Sequence, residues 1–411
     1  MTIARNTAWL MMAQAIGMLG PFVMVPFLAR ALGPEGWAPV LAAQALAAWL
    51  IIILDYASDL SGTRDVARAR VGAQGPAAAP RVAEVFRDVL SAKVLLVPLA
   101  AALALASGAL VPVLHGQGAL VTCALAYAVC RGLNPFWYFQ GVERVRFAAA
   151  VDGGARALAA VAVIVVVRRP GDGWLVLGVQ AAFAALELAT LGVAVGREIP
   201  LLRPTRGAGI AALRRNGAIF GIRAVGGVYT QASTLLLGIT AAPAVVAAYG
   251  GADRIVRAAI SMIQPVTQAV LPRVSYLHAA DPAAARAFVD RLLVLMGLLG
   301  AAAGAALFVT APWVVTVFLG REYLPAIPVL RLLAALLPVI AVSTVLWTYW
   351  ALPFGRERLV LASVGAAAAL NLALIAVLVP RWHAAGMCVA VLASEAFVVG
   401  RLALAFAARP A

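Results

Sequence analysis

The sequence predicts an all-α polytopic membrane protein with about twelve transmembrane helices, in two pseudo-symmetric six-helix lobes around a central cavity. Three observations lead to this fold class. The 411 residues are 64% hydrophobic and only 12% charged, whereas about a quarter of the residues of a soluble domain are charged. The apolar residues form runs of about 20, the length that crosses a bilayer. One short motif also occurs twice, once in each half of the chain.

The individual spans follow from apolar runs separated by short segments that carry turn residues. The twelve predicted spans are 8–29, 37–56, 90–112, 118–139, 147–167, 174–195, 217–240, 245–272, 291–317, 327–350, 359–379 and 385–407. The first run exceeds the apolar region of a usual signal peptide, so we interpret it as an uncleaved first span. No predicted connection is long enough to hold a soluble domain.

The repeated motif divides the chain. Gly141-Val142-Glu143-Arg144 follows the fourth span, and Gly355-Arg356-Glu357-Arg358 follows the tenth, each after an aromatic-rich run. Because each copy has an even number of spans, both copies would enter the membrane in the same direction. Such halves are related by an axis along the membrane normal, with a substrate path between them. We therefore predict an N-terminal lobe at residues 1–200 and a C-terminal lobe at residues 201–411.

The net charge of +15 comes almost wholly from arginine, since Lys93 is the only lysine. With both termini cytoplasmic, the cytoplasmic loops, counted with Lys93, would hold about four times as many basic residues as the outer loops. This bias predicts a multi-pass protein with both termini in the cytoplasm. The arginines are spread over short loops, so no nucleic-acid partner is expected. No nucleotide motif, metal-ligand spacing or cofactor motif is found, so no metal or cofactor is expected.

Several arginines fall inside the predicted spans. A charged side chain at the bilayer centre costs roughly 2.5–3.5 kcal/mol, so six facing lipid would exceed the net stability of a typical protein. Most must therefore face protein or a water-filled cavity. We predict a cavity of positive character, suited to an anionic group such as a pyrophosphate. Its candidate residues are Arg30, Arg131, Arg156, Arg223, Arg254, Arg257 and Arg331.

The same charges have a structural interpretation. Asp152 with Arg156, and Asp253 with Arg257, are spaced four residues apart, so each pair can neutralise itself on one helix face. The intramembrane acids are also candidates for proton or sodium coupling, and the sequence does not choose among them. These candidates are Asp55, Asp152, Glu187, Asp253 and Glu395.

Prolines interrupt two spans that the repeat makes equivalent. Pro21 and Pro26 lie in the first span, and Pro265 and Pro272 lie in the eighth. Because proline removes a helix hydrogen bond, bends at these positions are candidate hinges for alternating access. Static kinks relieved by packing are the alternative.

Several stretches together resemble the oligosaccharide flippase family, the O-antigen and polysaccharide transporters of the multidrug/oligosaccharidyl-lipid/polysaccharide exporter superfamily. They are Pro26–Pro34 with Gly36-Trp37, Asp55 with Arg64–Arg68, Trp137–Arg144, Gln264-Pro265 with Gln268 and Leu271–Ser275, Asn371-Leu372, and Ala385-Gly386. The resemblance covers essentially the whole chain. It implies a bacterial inner-membrane protein that moves undecaprenyl-pyrophosphate-linked sugars to the outer leaflet. Membrane lipid, an anionic lipid-linked glycan and polysaccharide polymerase machinery are the partners this function would involve.

Three alternatives stay open. A cation-coupled drug exporter of the same superfamily would also have twelve spans, but it needs acids for cationic substrates, and here arginines outnumber acids within the spans. A lipid II flippase resembles the superfamily but typically has fourteen spans. A membrane glycosyltransferase would carry a large outer loop with paired acids, and no loop qualifies, so we expect a transporter rather than an enzyme.

Overall fold

The structure is a computed structural model, and its regular secondary structure is entirely helical in the described residues. These are residues 2–71, 79–231, 233–261, 270, 273–274, 276–278 and 280–408. Side chains are not described at residues 2–22, 218, 222–223, 225–226, 228–231 and 282. The chain forms two compact units, residues 1–227 and 228–411. The boundary between two six-helix lobes at residue 200, placed from the sequence, stays a prediction.

The first unit is built around one long helix. Helix α1 (Thr2–Asp55) continues through 54 residues with a break at Gly33, where φ is 64° and ψ is 175°. It packs against α3, α4, α6 and α7. The other helices of this unit are α2 (Ser58–Ala69), α3 (Ala79–Leu110), α4 (Gly118–Leu133), α5 (Phe136–Gly141), α6 (Val145–Val166), α7 (Gly173–Glu198) and most of α8 (Arg206–Gln231). Short 3-10 turns at Pro112–Leu114 and Pro170–Asp172 precede α4 and α7.

The second unit begins near the end of α8. Its helices are α9 (Ser233–Thr240), α10 (Pro243–Ser261), α11 (Pro282–Phe318), α12 (Ala326–Ala334), α13 (Leu336–Thr344) and α14 (Glu357–Ala407), with a 3-10 turn at Arg321–Tyr323 and a π-helix at Val345–Ala351. Helix α14 is broken at His383, whose φ of 45° is not helical. Gly300 and Gly304 let α11 approach α12 and α13 closely, since a Cβ at Gly300 would lie 2.8 Å from Pro338 Cα.

The lengths of these helices account for twelve spans. Eight segments of the described chain are long and apolar enough to cross a membrane, and two of them are 47 and 51 residues long. Because one crossing takes about 20 residues, α1 and α14, each broken near its middle, supply two spans apiece. With α8 and α10, which are not among those eight segments, the total reaches the twelve spans predicted. The fold class is confirmed: the protein is an all-α, multi-pass membrane protein with a two-lobed layout.

Each copy of the aromatic motif lies in a hydrophobic cluster of its own unit. Trp137, Tyr138 and Phe139 are buried with Phe86 in one cluster of the first unit. Tyr349 and Trp350 are buried with Phe406 in the second. These aromatic residues at the ends of the fourth and the tenth span are therefore core packing in both halves.

The turn after each aromatic run has the same geometry. The amide of Arg144 donates to the carbonyl of Phe139 at 2.8 Å, and the amide of Arg356 donates to the carbonyl of Ala351 at 2.8 Å. The residue before each arginine has a left-handed backbone conformation: φ is 62° at Glu143 and 67° at Gly355. This pattern is the C-terminal capping turn of a helix. The structural repeat thus pairs Glu143 with Gly355, two residues away from the Gly-x-Glu-Arg match.

Candidate functional site

A buried ion network joins three helices of the first unit. Arg131 lies in the last turn of α4, and its Nη1 donates to Asp152 Oδ1 on α6 at 2.7 Å and to Glu187 Oε2 on α7 at 2.7 Å. The Glu187 side chain is 1% exposed, and those of Arg131 and Asp152 are 19% and 18% exposed. A charge removed from water is retained when it is paired and hydrogen-bonded. Arg131 therefore holds α6 and α7 together through their carboxylates.

Two further side chains complete this network. Asn134 ends α4, its Nδ2 donates to Glu187 Oε1 at 2.5 Å, and its Oδ1 accepts from the backbone amide of Phe136 at 2.9 Å. Arg156 Nε donates to Asp152 Oδ1 at 3.0 Å, the predicted contact of residues four apart. The network holds two guanidinium groups and two carboxylates. Its formal charge is therefore balanced, which removes two of the predicted arginines from any surplus of positive charge.

A second buried pair was not predicted. Lys93 is 1% exposed, and its Nζ donates to Asp55 Oδ1 at 3.2 Å and to the carbonyl of Gly132 at 2.6 Å. Ser58 Oγ also donates to Asp55 Oδ1, at 2.7 Å. Counting Lys93 among the cytoplasmic loop charges was thus incorrect, because the side chain lies inside the first unit. The signal in the sequence was a single lysine, within the predicted third span, in a chain that otherwise uses arginine.

The second unit contains the other predicted helical pair. Arg257 Nε lies 2.6 Å from Asp253 Oδ2 on α10, as their spacing predicted. Arg254 on α10 and Glu395 on α14 each interact with other residues of the protein. The three predicted charges Asp253, Arg254 and Arg257 lie within five consecutive residues of α10.

The remaining predicted arginines are dispersed. Arg331 on α12 donates through Nε to the carbonyl of Phe308 at 3.3 Å and lies 5.2 Å from the centre of its ring. Arg30 is exposed on α1 and interacts with other groups of the protein. The side chain of Arg223 lies outside the described residues. Among the candidate arginines with described side chains, Arg131 and Arg156 share the carboxylate of Asp152, and Arg257 contacts Asp253.

The hinge prolines are described only in part. Helix α1 continues through Pro21 and Pro26, and its non-helical residue is Gly33. The side chain of Pro21 and all of Pro265 and Pro272 lie outside the described residues. The hinge assignment therefore stays a prediction.

In the network around Arg131, the two carboxylates control whether the guanidinium group can bind another anion. A phosphate could bind Arg131 only in competition with two carboxylates, which hold it at 2.7 Å. A proton taken up by Asp152 or Glu187 would weaken that hold and leave Arg131 with a positive charge to share. The arrangement can thus couple protonation of an acid to the availability of a guanidinium group.

Comparison with known proteins shows similarity along nearly all of the chain. A family model described as polysaccharide biosynthesis protein matches residues 3–278. A protein of Shigella dysenteriae assigned as an O-antigen transporter is 25% identical over 409 residues, which cover 96% of this chain and 98% of the relative. A protein of Escherichia coli with the same assignment is 23% identical over 404 residues, which cover 97% and 95% of the two chains.

Solved structures share the fold. The lipid II flippase MurJ, in an inward closed conformation, superposes with a TM-score of 0.70 at 10% identity, covering 98% of this chain and 87% of its own. A eukaryotic MATE transporter superposes with a TM-score of 0.54 at 16% identity, covering 100% and 97%. At these identities the likeness concerns the fold alone.

Proposed function

The chain belongs to the polysaccharide biosynthesis protein family, and from this premise we propose that it is a flippase for lipid-linked oligosaccharide. Its substrate would be an oligosaccharide carried on undecaprenyl pyrophosphate, moved across the bacterial inner membrane for synthesis of cell-surface polysaccharide. The observation that carries the proposal is end-to-end similarity to two proteins assigned as O-antigen transporters. No predicted connection in the sequence is long enough to hold a separate catalytic domain, which suits transport.

Alternating access is the proposed mechanism. The two lobes would rock about a central path, with bends in the first and eighth spans as hinges. Intramembrane arginines would contact the pyrophosphate, because a guanidinium group binds a phosphate through two parallel hydrogen bonds. Arg254 and Arg331 are candidates in the second unit, and Arg131 is the candidate in the first once its carboxylates release it.

Proton or sodium coupling would act through acids that already hold a cationic group. In the first unit, Asp152 and Glu187 contact Arg131, and Asp55 contacts Lys93. In the second, Asp253 contacts Arg257. A proton or sodium ion bound at such an acid competes with the internal cation, so ion binding and the local packing of helices would be linked.

The proposed orientation places both termini in the cytoplasm, with polysaccharide polymerase machinery on the outer side. Alkaline phosphatase and fluorescent-protein fusions after each predicted span can test it. Cytoplasmic reporters should be active at both termini and at the segment between α7 and α8. Phosphatase activity at any of these points would reverse the assignment.

Complementation separates the candidate functions. The gene, expressed in a strain that lacks its own O-antigen transporter, should restore long-chain lipopolysaccharide. Purified protein in liposomes should move a pyrophosphate-linked oligosaccharide to the opposite leaflet. If it instead rescues depletion of the lipid II flippase, or lowers only drug accumulation, the lipid II or multidrug alternative would replace the proposal.

A further inference from the structure

The segment that runs from the end of α7 into the first turns of α8 carries a concentration of positive charge without acids. Between Glu198 and Asp253 the sequence has no aspartate or glutamate, while Arg203, Arg206, Arg214 and Arg215 fall within thirteen residues. All four arginine side chains are exposed. Since the segment joins α7, which is long and apolar enough to cross a membrane, to the predicted seventh span, we expect it where the bilayer meets water.

The first turns of α8 are fixed on the first unit. The Thr205 amide donates to Ser91 Oγ at 3.0 Å, and Tyr56 Oη donates to the Leu213 carbonyl at 3.1 Å. A Cβ at Gly209 would lie 2.5 Å from Leu95 Cδ1, so the helix approaches α3 as closely as glycine allows. The inner face of α8 is therefore occupied by protein contacts, and its outer face has a defined orientation.

That outer face combines cationic and apolar side chains. Arg206, Ile210 and Arg214 are spaced four residues apart and are exposed along one side of α8. Ile210 is 39% exposed, and Leu201 and Leu202 in the preceding loop are 59% and 36% exposed. Basic residues beside exposed aliphatic residues are typical of surfaces that lie in the headgroup region of a membrane.

We propose that this surface, formed by Leu201, Leu202, Arg203, Arg206, Ile210, Arg214 and Arg215 and called here the linker face, binds anionic phospholipid. The guanidinium groups would contact headgroup phosphates, and the three aliphatic side chains would enter the boundary of the acyl region. Charge complementarity selects this occupant. None of the four arginines forms an ion pair within the described residues, so each is available to a phosphate. The lipid would anchor the connection between the two halves.

The test measures lipid binding to the full-length protein in nonionic detergent by native mass spectrometry. Phosphatidylglycerol should bind at least tenfold more tightly than phosphatidylcholine. Because one basic residue near an anionic surface strengthens binding about fivefold, R206Q/R214Q should bind phosphatidylglycerol about 25-fold more weakly. R206K/R214K, which keeps both charges, should retain most of the affinity. R168Q/R169Q removes two exposed arginines before α7 and should bind as the wild type does.

A third arm separates phospholipid from the proposed substrate. Prenyl pyrophosphate presents the same phosphate chemistry, and its binding should be equal in wild type and R206Q/R214Q. The proposal is overturned if phosphatidylglycerol and phosphatidylcholine bind equally, or if R168Q/R169Q loses as much affinity as R206Q/R214Q. It is also overturned if R206Q/R214Q loses prenyl pyrophosphate and keeps phosphatidylglycerol.

Discussion

The ammonium group of Lys93 lies 3.2 Å from the carboxylate of Asp55, and this pair joins α3 to the end of α1 inside the first unit. The same ammonium group donates to the carbonyl of Gly132 on α4 at 2.6 Å. Three spans are therefore linked by one side chain that is 1% exposed. The two residues after Asp55, Tyr56 and Ala57, have φ of 48° and 58°. A left-handed backbone is unfavourable in free energy for non-glycine residues, so the surrounding contacts must hold the turn in this conformation.

Removing one partner of this ion pair should lower the free energy of unfolding more than removing both partners. Lys93→Met leaves the Asp55 carboxylate without its cation, and we expect a loss of about 3 kcal/mol, since breaking a buried pair is strongly destabilising. The double variant Lys93→Met/Asp55→Asn leaves no unpaired charge and should be closer in stability to wild type. Thermal unfolding of the purified protein in detergent measures both. A double variant as unstable as the sum of the two single variants would show that the pair is not coupled.

Substitution of the proposed substrate contacts should stop transport. Arg131→Gln and Arg254→Gln should each abolish translocation of a pyrophosphate-linked oligosaccharide while the protein still inserts in the membrane. The reason is the loss of a guanidinium group that would bind phosphate. Flux is measured in liposomes, and insertion by the yield of monodisperse protein. Flux at the wild-type level in both variants would end the cationic-path hypothesis.

The ion network supplies the control for Arg131. Arg131→Gln leaves Glu187, 1% exposed at its side chain, without its cation, so lost flux could reflect lost packing. Arg131→Gln/Glu187→Gln restores the balance of charge and should restore stability. A role in substrate binding predicts no flux in the double variant, whereas a purely structural role predicts that flux returns. The same pair of assays thus separates the two interpretations.

The number of spans was predictable because bilayer thickness sets the length of an apolar run. The helical pairs Asp152–Arg156 and Asp253–Arg257 were also predictable, since helix geometry places residues four apart on one face. The contacts of Arg131 with α6 and α7 were not. They depend on which faces of three helices meet, and a uniformly apolar span does not mark its protein-facing side.

The burial of Lys93 could not be predicted from the sequence either. Counting the basic residues of loops treats a basic residue near the end of a span as solvated, because a long side chain usually reaches the interface. Here α3 extends from Ala79 to Leu110, so Lys93 lies well inside a helix that begins earlier than the apolar run. Its partner Asp55 ends a different helix. Only tertiary contacts reveal that these two ends meet.

The contact between α2 and α5 should depend on a glycine. A Cβ at Gly62 would lie 2.6 Å from Trp137 Cε3, so Gly62→Ala must displace either α2 or the indole ring. Overpacking of this kind costs about 1–3 kcal/mol. Gly154 in α6 has no neighbour within 4 Å of the same position, so Gly154→Ala is the matched control. It should leave stability unchanged or raise it by up to about 1 kcal/mol. Equal unfolding temperatures for the two variants would contradict the close contact.

Substitutions in the paired turns after the fourth and tenth spans should change stability in opposite directions. Gly355 and Glu143 both have a left-handed backbone, with φ of 67° and 62°, which costs a non-glycine residue roughly 1–2 kcal/mol. Gly355→Ala should therefore lower the free energy of unfolding by about 1 kcal/mol. Its Cβ would meet nothing within 4 Å, so the effect would be backbone strain alone. Glu143→Gly should raise stability by a similar amount because it relieves the strain. If it does not, the exposed Glu143 side chain must make a compensating contact, and flux measured in the same variant would show whether the strained turn serves transport.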